Sequence, residues 1–219
     1  KQITQTQGGL SYIRQTSAGI LNITGYGIYR DLSNPLPFGI ITVNRWAGGL
    51  RATLDKSWSD FNLQTGVETK LQNDDRTEFE NIGDAQRGNI TVDQVERVWN
   101  QAAFASAQYS IGSFNILGGI RYDRLTFRTD APIAMQSGER TFQSFSPSLG
   151  VNFQQSNYTI FTNLSTSFEA PTTTELVNRP GSGNGFNPEL SPEQTVGLEA
   201  GVRGSNDTNT FQYDLTVFH

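Results

Sequence analysis

The side chains able to do chemistry are few in this chain. Its 219 residues include no cysteine and one histidine, His219, the last residue. That removes thiolate nucleophiles, a disulfide framework and Cys-based zinc or iron–sulfur sites. Triads and metal cages built on histidine lack their central group. Carboxylates are plentiful, yet no spacing sets two of them across a cleft as glycoside hydrolysis requires. Asp74, Asp75, Glu78, Glu80 and Asp84 offer the hard oxygen donors that Ca²⁺ takes, although such a stretch is more often a solvated loop. The run Gly181-Ser-Gly183-Asn-Gly185 lacks the Lys-Ser/Thr that completes a phosphate cradle and reads as a flexible loop. The expectation is no catalytic residue, no resident metal and no cofactor.

Charge narrows the partners. The formal net charge is −5, and Lys1, Lys56 and Lys70 are the only lysines, so most positive charge is arginine. Binding to a nucleic-acid backbone needs clustered cations and is disfavoured on this balance, so no nucleic-acid partner is expected. Hydrophobic residues are 35% of the chain and aromatics 11%, too aromatic for a disordered chain. No apolar run approaches the roughly 18 residues of a membrane-crossing helix. The opening Lys-Gln-Ile-Thr-Gln-Thr carries no apolar leader core.

The elements that position these residues follow a period of two. Phe61, Leu63, Val67 and Leu71 alternate with Asn62, Gln64, Glu68 and Lys70. Val196, Leu198, Ala200 and Val202 alternate with Gly197, Glu199, Gly201 and Arg203. Such alternation marks strands with one apolar and one polar face. About ten strands are expected, near 9–16, 20–30, 40–54, 61–73, 95–109, 114–129, 144–154, 158–168, 195–204 and 210–218. Short turns (17–19, 56–60, 111–113, 155–157, 205–208) alternate with longer loops at Asp31–Gly39, Asp74–Gln94, Asp130–Gln143 and Glu169–Gln194. A meander would thus carry its turns on one rim and its loops on the other, the asymmetry of an outer-membrane β-barrel. Arg45, Arg51, Glu68, Lys70, Arg121, Asp123, Glu199 and Arg203 all fall on polar faces. A lipid-facing Arg or Lys at the bilayer midplane costs about 2–4 kcal/mol, whereas one facing a wet lumen stays hydrated. A soluble antiparallel sandwich also puts charges on its wet face. It gives no reason for sorted loops.

The second half carries a more specific signal. A strand ends in Phe168-Glu-Ala-Pro171-Thr, a Pro192-Glu193 step leads into a strand bearing Glu199-Ala-Gly201, and Gly118-Gly-Ile-Arg121-Tyr-Asp123 lies upstream. Their order and spacing resemble the barrel of TonB-dependent outer-membrane receptors over Gly118 to Phe218. The first half resembles it in architecture. The resemblance implies an all-β, antiparallel up-and-down transmembrane barrel of about 22 strands. Residues 1–219 would then form an incomplete arc of about ten strands, with no plug domain or TonB box visible. The last strand stops mid-pattern at His219, and an isolated arc would leave unpaired edges in lipid. Both points lead us to expect a fragment.

By the same resemblance the protein sits in the bacterial outer membrane, contacts its lipid, and imports a scarce ligand with energy delivered by TonB through the missing plug. A ferric siderophore is the leading ligand, with a cobalamin-like complex behind it. The candidate contacts are lumen Arg45, Arg121 and Arg203 and loop Arg179 for an anionic chelate, with Trp99 and Phe186 to pack on it. Two other classes remain open: a passive small barrel (a pore or an adhesin-like wall) and a soluble β-sandwich binding module. Outer-membrane proteases and phospholipases depend on a catalytic histidine that this segment does not place.

Overall fold

A computed structural model describes residues 1–132, 137–178, 185–206, 208 and 210–219. Ten strands run in chain order: β1 (Gln2–Gln15), β2 (Ile20–Leu36), β3 (Gly39–Ser57), β4 (Phe61–Asn81), β5 (Arg87–Ile111), β6 (Phe114–Asp130), β7 (Gly138–Gln154), β8 (Tyr158–Glu169), β9 (Glu193–Ser205) and β10 (Gln212–Phe218). A short helix, α1 (Thr173–Val177), interrupts the β8–β9 connection. The strands form one antiparallel sheet in which each pairs with its sequence neighbours, and β1 and β10 are its unjoined edges. The expected all-β meander is therefore the fold, as one unclosed sheet.

Register assigns every side chain to a face, because residues directly opposite each other point the same way. Val67 lies opposite Ala52 and Ala103, and Ala103 opposite Tyr122. Leu149 lies opposite Gly118 and Leu164, and Leu164 opposite Leu198. These residues share one face. Glu68 lies opposite Arg51 and Ala102, and Ala102 opposite Asp123. These share the other.

The two faces are packed in the reverse of a soluble protein. On the apolar face Val67 is 57% exposed, Leu149 52% and Leu215 66%. On the polar face Asp74 is 3% exposed and Asp123 5%. No second layer covers the greasy side among the described residues. Side chains crowd only on the concave side of a curved sheet, so curvature puts the polar residues inside and the aliphatic ones outside. An apolar surface spread over the whole sheet far exceeds the few hundred Å² that a water-exposed monomer face commonly tolerates.

Aromatic rings border the outer aliphatic band. Near the turn rim, Phe114 packs on Phe153 with centroids 4.9 Å apart, and Phe153 lies 6.5 Å from Tyr158. Toward the opposite rim, Tyr29 lies 4.7 Å from Trp46, and Tyr122 4.9 Å from Phe145. Paired aromatic girdles of this kind mark the two interfaces of a membrane barrel.

The expected loops need correction. Much of Asp31–Gly39, Asp74–Gln94 and Asp130–Gln143 is strand: β2 and β3 are joined by Pro37 and Phe38 alone, and β4 and β5 run on to Asn81 and from Arg87. Long connections therefore do not alternate strictly with short ones. In these extensions both faces are polar, as in Asp74-Asp75-Arg76. Cross-strand ladders hold them while the period-two signal disappears. The β4–β5 tip closes through Gly83, Asp84 and Ala85, all at positive φ, after register shifts beside Phe79. The Glu169–Gln194 connection, expected to be irregular, contains α1.

Adjacent residues test the two faces. Ala105, opposite Thr65 and Ile120, points outward, and its neighbour Ser106 points inward. Ala105→Arg is expected to weaken folding into lipid by about 2–4 kcal/mol, while Ser106→Arg is tolerated. Urea titration of the folded barrel in vesicles measures the difference; equal tolerance contradicts the assignment of faces.

Candidate ligand-binding surface

The inner wall is built from ion pairs that cross strands. Glu68 accepts from Lys70 at 2.8 Å and from Arg121 at 3.2 Å. Arg121 also makes a two-pronged contact with Asp123, at 2.7 and 2.8 Å. Ala102 stands between Glu68 and Asp123 in register, and its small side chain leaves Arg121 a path across β5. Higher on the wall, Arg45 donates to both oxygens of Asp74, at 2.7 and 2.6 Å. Gln72 adds a third hydrogen bond to Asp74. Arg76 pairs with Glu78 and lies 3.5 Å from Glu96, which also accepts from Gln94. A buried carboxylate needs such partners, since unpaired it carries a desolvation cost of several kcal/mol.

Rings lie flat on this wall where the next strand offers a glycine. A Cβ at Gly49 would fall 2.6 Å from Tyr26, and one at Gly201 the same distance from Phe161. Gly66 makes the same allowance for Phe104. Guanidiniums cover two of these rings. Arg51 sits 4.8 Å from the Phe104 centroid, with Arg121 at 5.8 Å, and Arg203 sits 4.3 Å from that of Phe161. Stacking fixes the arginine plane and leaves its N–H edge directed at the interior.

The candidates read from the sequence divide accordingly. Arg45 and Arg121 lie on the inner wall, already matched to carboxylates. Arg203 lies there too, near the turn rim, more than half exposed and 4.0 Å from Asp214. Trp99 is on the opposite face: it stands opposite Leu71 and Thr126, and its indole donates to Thr69 Oγ1 at 2.8 Å. It is thus turned away from Arg45, Arg121 and Arg203, since residue type carries no information on register. Phe186 packs against the apolar cluster under α1. Arg179 lies outside the described residues. Of the five carboxylates with donors for Ca²⁺, Asp84 sits in the β4–β5 tip and the others in β4, where Asp74 and Glu78 are paired with arginine and Glu80 accepts from Asn89.

Two further arginines, Arg51 and Arg30, lie on the same wall. Neither has a carboxylate partner among the described residues, and the buried Nε of Arg30 has no hydrogen bond. Arg51 stands opposite Glu68, but Glu68 is committed to Lys70 and Arg121. The usable signal was not the arginine but the supply of carboxylates in its row. Arg51 faces a recess of about 410 Å³ together with Asn22, Tyr26, Asp55, Gln64, Glu68 and Lys70. It is a concave polar surface with a free cation and a phenol.

The β8–β9 connection folds back over the same wall. Thr172 and Glu175 form a reciprocal cap: the Thr172 N–H donates to Glu175 Oε2 at 2.7 Å, and the Glu175 N–H to Thr172 Oγ1 at 3.3 Å. This cap starts α1. Leu176, fully buried, packs with Phe127 and Phe142. Arg140 ties the far end by donating to the carbonyls of Asn187 and Pro188, and Arg76 donates to Thr174 Oγ1. Thr172, which closes the Phe168-Glu-Ala-Pro171-Thr motif, thus has a local physical use as the N-cap of α1.

With this geometry in place, the family follows. The family model described as TonB dependent receptor-like, beta-barrel matches residues 2–219, and the chain belongs to that family. Solved structures agree in fold. The alcaligin outer membrane receptor FauA of Bordetella pertussis superposes with a TM-score of 0.76 at 11% identity, covering 99% of this chain and 36% of that one. The ferric citrate transporter FecA gives 0.72 at 18%, covering 98% and 34%. The copper transporter OprC gives 0.79 at 18%, covering 99% and 38%. The chain therefore spans little more than a third of these relatives. Among curated proteins, none matches it in sequence.

Two predictions follow from the wall and its cover. Arg45→Gln strands the buried Asp74 and is expected to cost about 3–5 kcal/mol, with partial recovery when Asp74→Asn is added; urea midpoints of the folded barrel measure both. The Thr172 N–H and hydroxyl hold the Glu175 carboxyl below its ordinary value of 4.5. A depressed carboxyl contributes stability above that ordinary value and loses it as pH falls through the lower folded value. Protection of amides 173–178, taken as the exchange rate relative to the intrinsic rate at each pH, should therefore fall below pH 4.5, and Glu175→Gln should abolish that dependence.

Proposed function

We propose that this chain forms part of the outer-membrane wall of a TonB-dependent importer, with its loop rim outside the cell, and that the imported ligand is an anionic ferric siderophore. The plug and the remaining strands belong to the rest of such a receptor, and TonB acts through the plug. One observation carries the ligand reading. The inward recess beside Arg51 combines a guanidinium without an ion pair with Tyr26, Asn22 and Lys70, and its two carboxylates already have partners, Asp55 in Gln64 and Glu68 in Lys70 and Arg121, which leaves Arg51 to meet an oxygen-rich, negatively charged chelate. Arg45 and Arg121 contribute by shaping the wall, and Arg203 and Arg30 extend the cationic track along it. A soft copper ion is the poorer cargo for this segment, which holds no cysteine, one methionine and one histidine, since thiolate and thioether ligands select Cu(I). Transport, not catalysis, is the proposed activity.

Deletion of the full receptor gene should impair growth on an iron chelate as the sole iron source, and uptake of labelled chelate should cease without TonB or proton-motive force. Uptake that persists without either favours a passive pore. In the intact receptor, Arg51→Ala is expected to weaken chelate binding about tenfold or more, the worth of one charged hydrogen bond. Stability should fall by no more than about 1 kcal/mol in urea titration, because Arg51 has no ion pair to lose and its stacking on Phe104 is an exposed cation–π contact.

A further inference from the structure

The sheet is not paired over its whole height. Strands β6 and β7 pair up to Thr129 and Gly138, and β8 and β9 up to Glu169 and Glu193. Between these two pairs, β7 and β8 are joined only from Gln154 opposite Thr159 to Ser148 opposite Ser165. Above that point the edge of β7 from Gly138 to Pro147 has no ladder partner in β8, and β8 from Thr166 to Glu169 has none in β7. The break falls at Pro147. The N–H and C=O of a strand residue turn toward the same neighbour, and Thr166 Oγ1 donates to the Pro147 carbonyl at 3.1 Å. The N–H that proline lacks is therefore the one that would have bonded β8. Phe145, outward and packed on Tyr122, stands two residues above the break. The seam thus opens at the aromatic level and beyond it, where water reaches backbone groups that hydrocarbon would not tolerate unpaired.

The β8–β9 connection crosses this seam. It leaves the chain at the end of β8, yet its anchors lie on the far side. Leu176, fully buried, packs on Phe127 of β6 and Phe142 of β7. Arg140 of β7 lies 4.9 Å from the Phe142 centroid and donates to the carbonyls of Asn187 and Pro188. The Asn187 N–H donates to the Leu176 carbonyl at 2.7 Å, which ties the two ends of the connection into one body. Phe186 fills the space a side chain at Gly138 would need, 3.0 Å from a Cβ built there. Arg76 of β4 adds its bond to Thr174 Oγ1 at 3.3 Å. Side chains therefore do here what backbone bonds do elsewhere in the sheet.

We propose that the β8–β9 connection is a latch across the β7–β8 seam, and that its release lets the panels β1–β7 and β8–β10 part above Pro147. The paired lower halves of β7 and β8 act as the hinge. A seam held by one apolar cluster and a few hydrogen bonds opens more readily than a continuous ladder, in which neighbouring backbone bonds must break together. The loop-side mouth of the lumen is then adjustable at one place in the wall, while the turn rim stays fixed. The inference stands on the pairing pattern and is independent of which ligand is carried.

The test uses the intact receptor in vesicles, spin-labelled in pairs at introduced cysteines and read by double electron–electron resonance. Leu71→Cys with Gln194→Cys spans the seam above Pro147, since Gln194 stands opposite Phe168. Val67→Cys with Leu198→Cys spans the same strands below it, since Leu198 stands opposite Leu164 within the paired half. The parent should give a narrow distance for both pairs. Leu176→Ala should lengthen and broaden the upper distance by roughly 5 Å, about one strand spacing, and leave the lower one unchanged. Arg140→Gln, which spares the apolar cluster, should act in the same direction and covers the case in which Leu176→Ala does not fold. A folded variant with the parent's upper distance overturns the latch. So does a parent already broad at the upper pair, and so does loosening of both pairs together, which shows a wall without a seam.

Discussion

The structure depends on a single inversion: exposed aliphatics on one side of a one-layer sheet and buried charges on the other. In water this arrangement has no stabilising term, because apolar burial worth about 25 cal/mol per Å² is left unused. Inside hydrocarbon the same outer surface costs nothing, and the backbone hydrogen bonds of the ladder become the main requirement. Val67, Leu149 and Leu215 are not failures of packing. They are half of a partition whose other half is Asp74 and Asp123, buried on the concave side by neighbouring strands.

That partition makes the inner wall an electrostatic problem with few spare parts. Arg45, Arg76 and Arg121 each answer a carboxylate held against the sheet, so their first role is to make burial of Asp74, Glu78 and Asp123 tolerable. Rings complete the surface where glycine on the next strand lets them lie down, as Tyr26 does over Gly49. Function is left to what this scheme does not consume. Arg51 stands out because it makes no ion pair of its own, the carboxylate opposite it, Glu68, being held by Lys70 and Arg121.

Much of the fold was legible in the sequence because period-two alternation is a direct record of two different solvents. Phe61 to Leu71 and Thr195 to Arg203 sit where the pattern put them. It faded where both faces meet water, which is why the upper parts of β4 and β5 read as loop. The apolar cluster of Phe127, Phe142 and Leu176 was invisible for another reason, since it joins the inner ends of two strands to a helix arriving from far along the chain. The site was less legible than the fold. Arginine alone does not announce whether it is spent, and only register shows that Arg45 has Asp74 beside it while Arg51 must share Glu68 with two rivals. Parity alone puts Trp99 on the face opposite to Arg45 and Arg121.

The strand order, in which every hydrogen-bonded neighbour is the next segment of chain, bears on how such a wall is made. No strand has to wait for a distant partner, so the entropic penalty of closing long loops never accumulates. The sheet can lengthen by successive hairpins, each new one templated by the open margin of the last. An assembly factor would therefore need to manage one growing margin at a time rather than a whole cylinder.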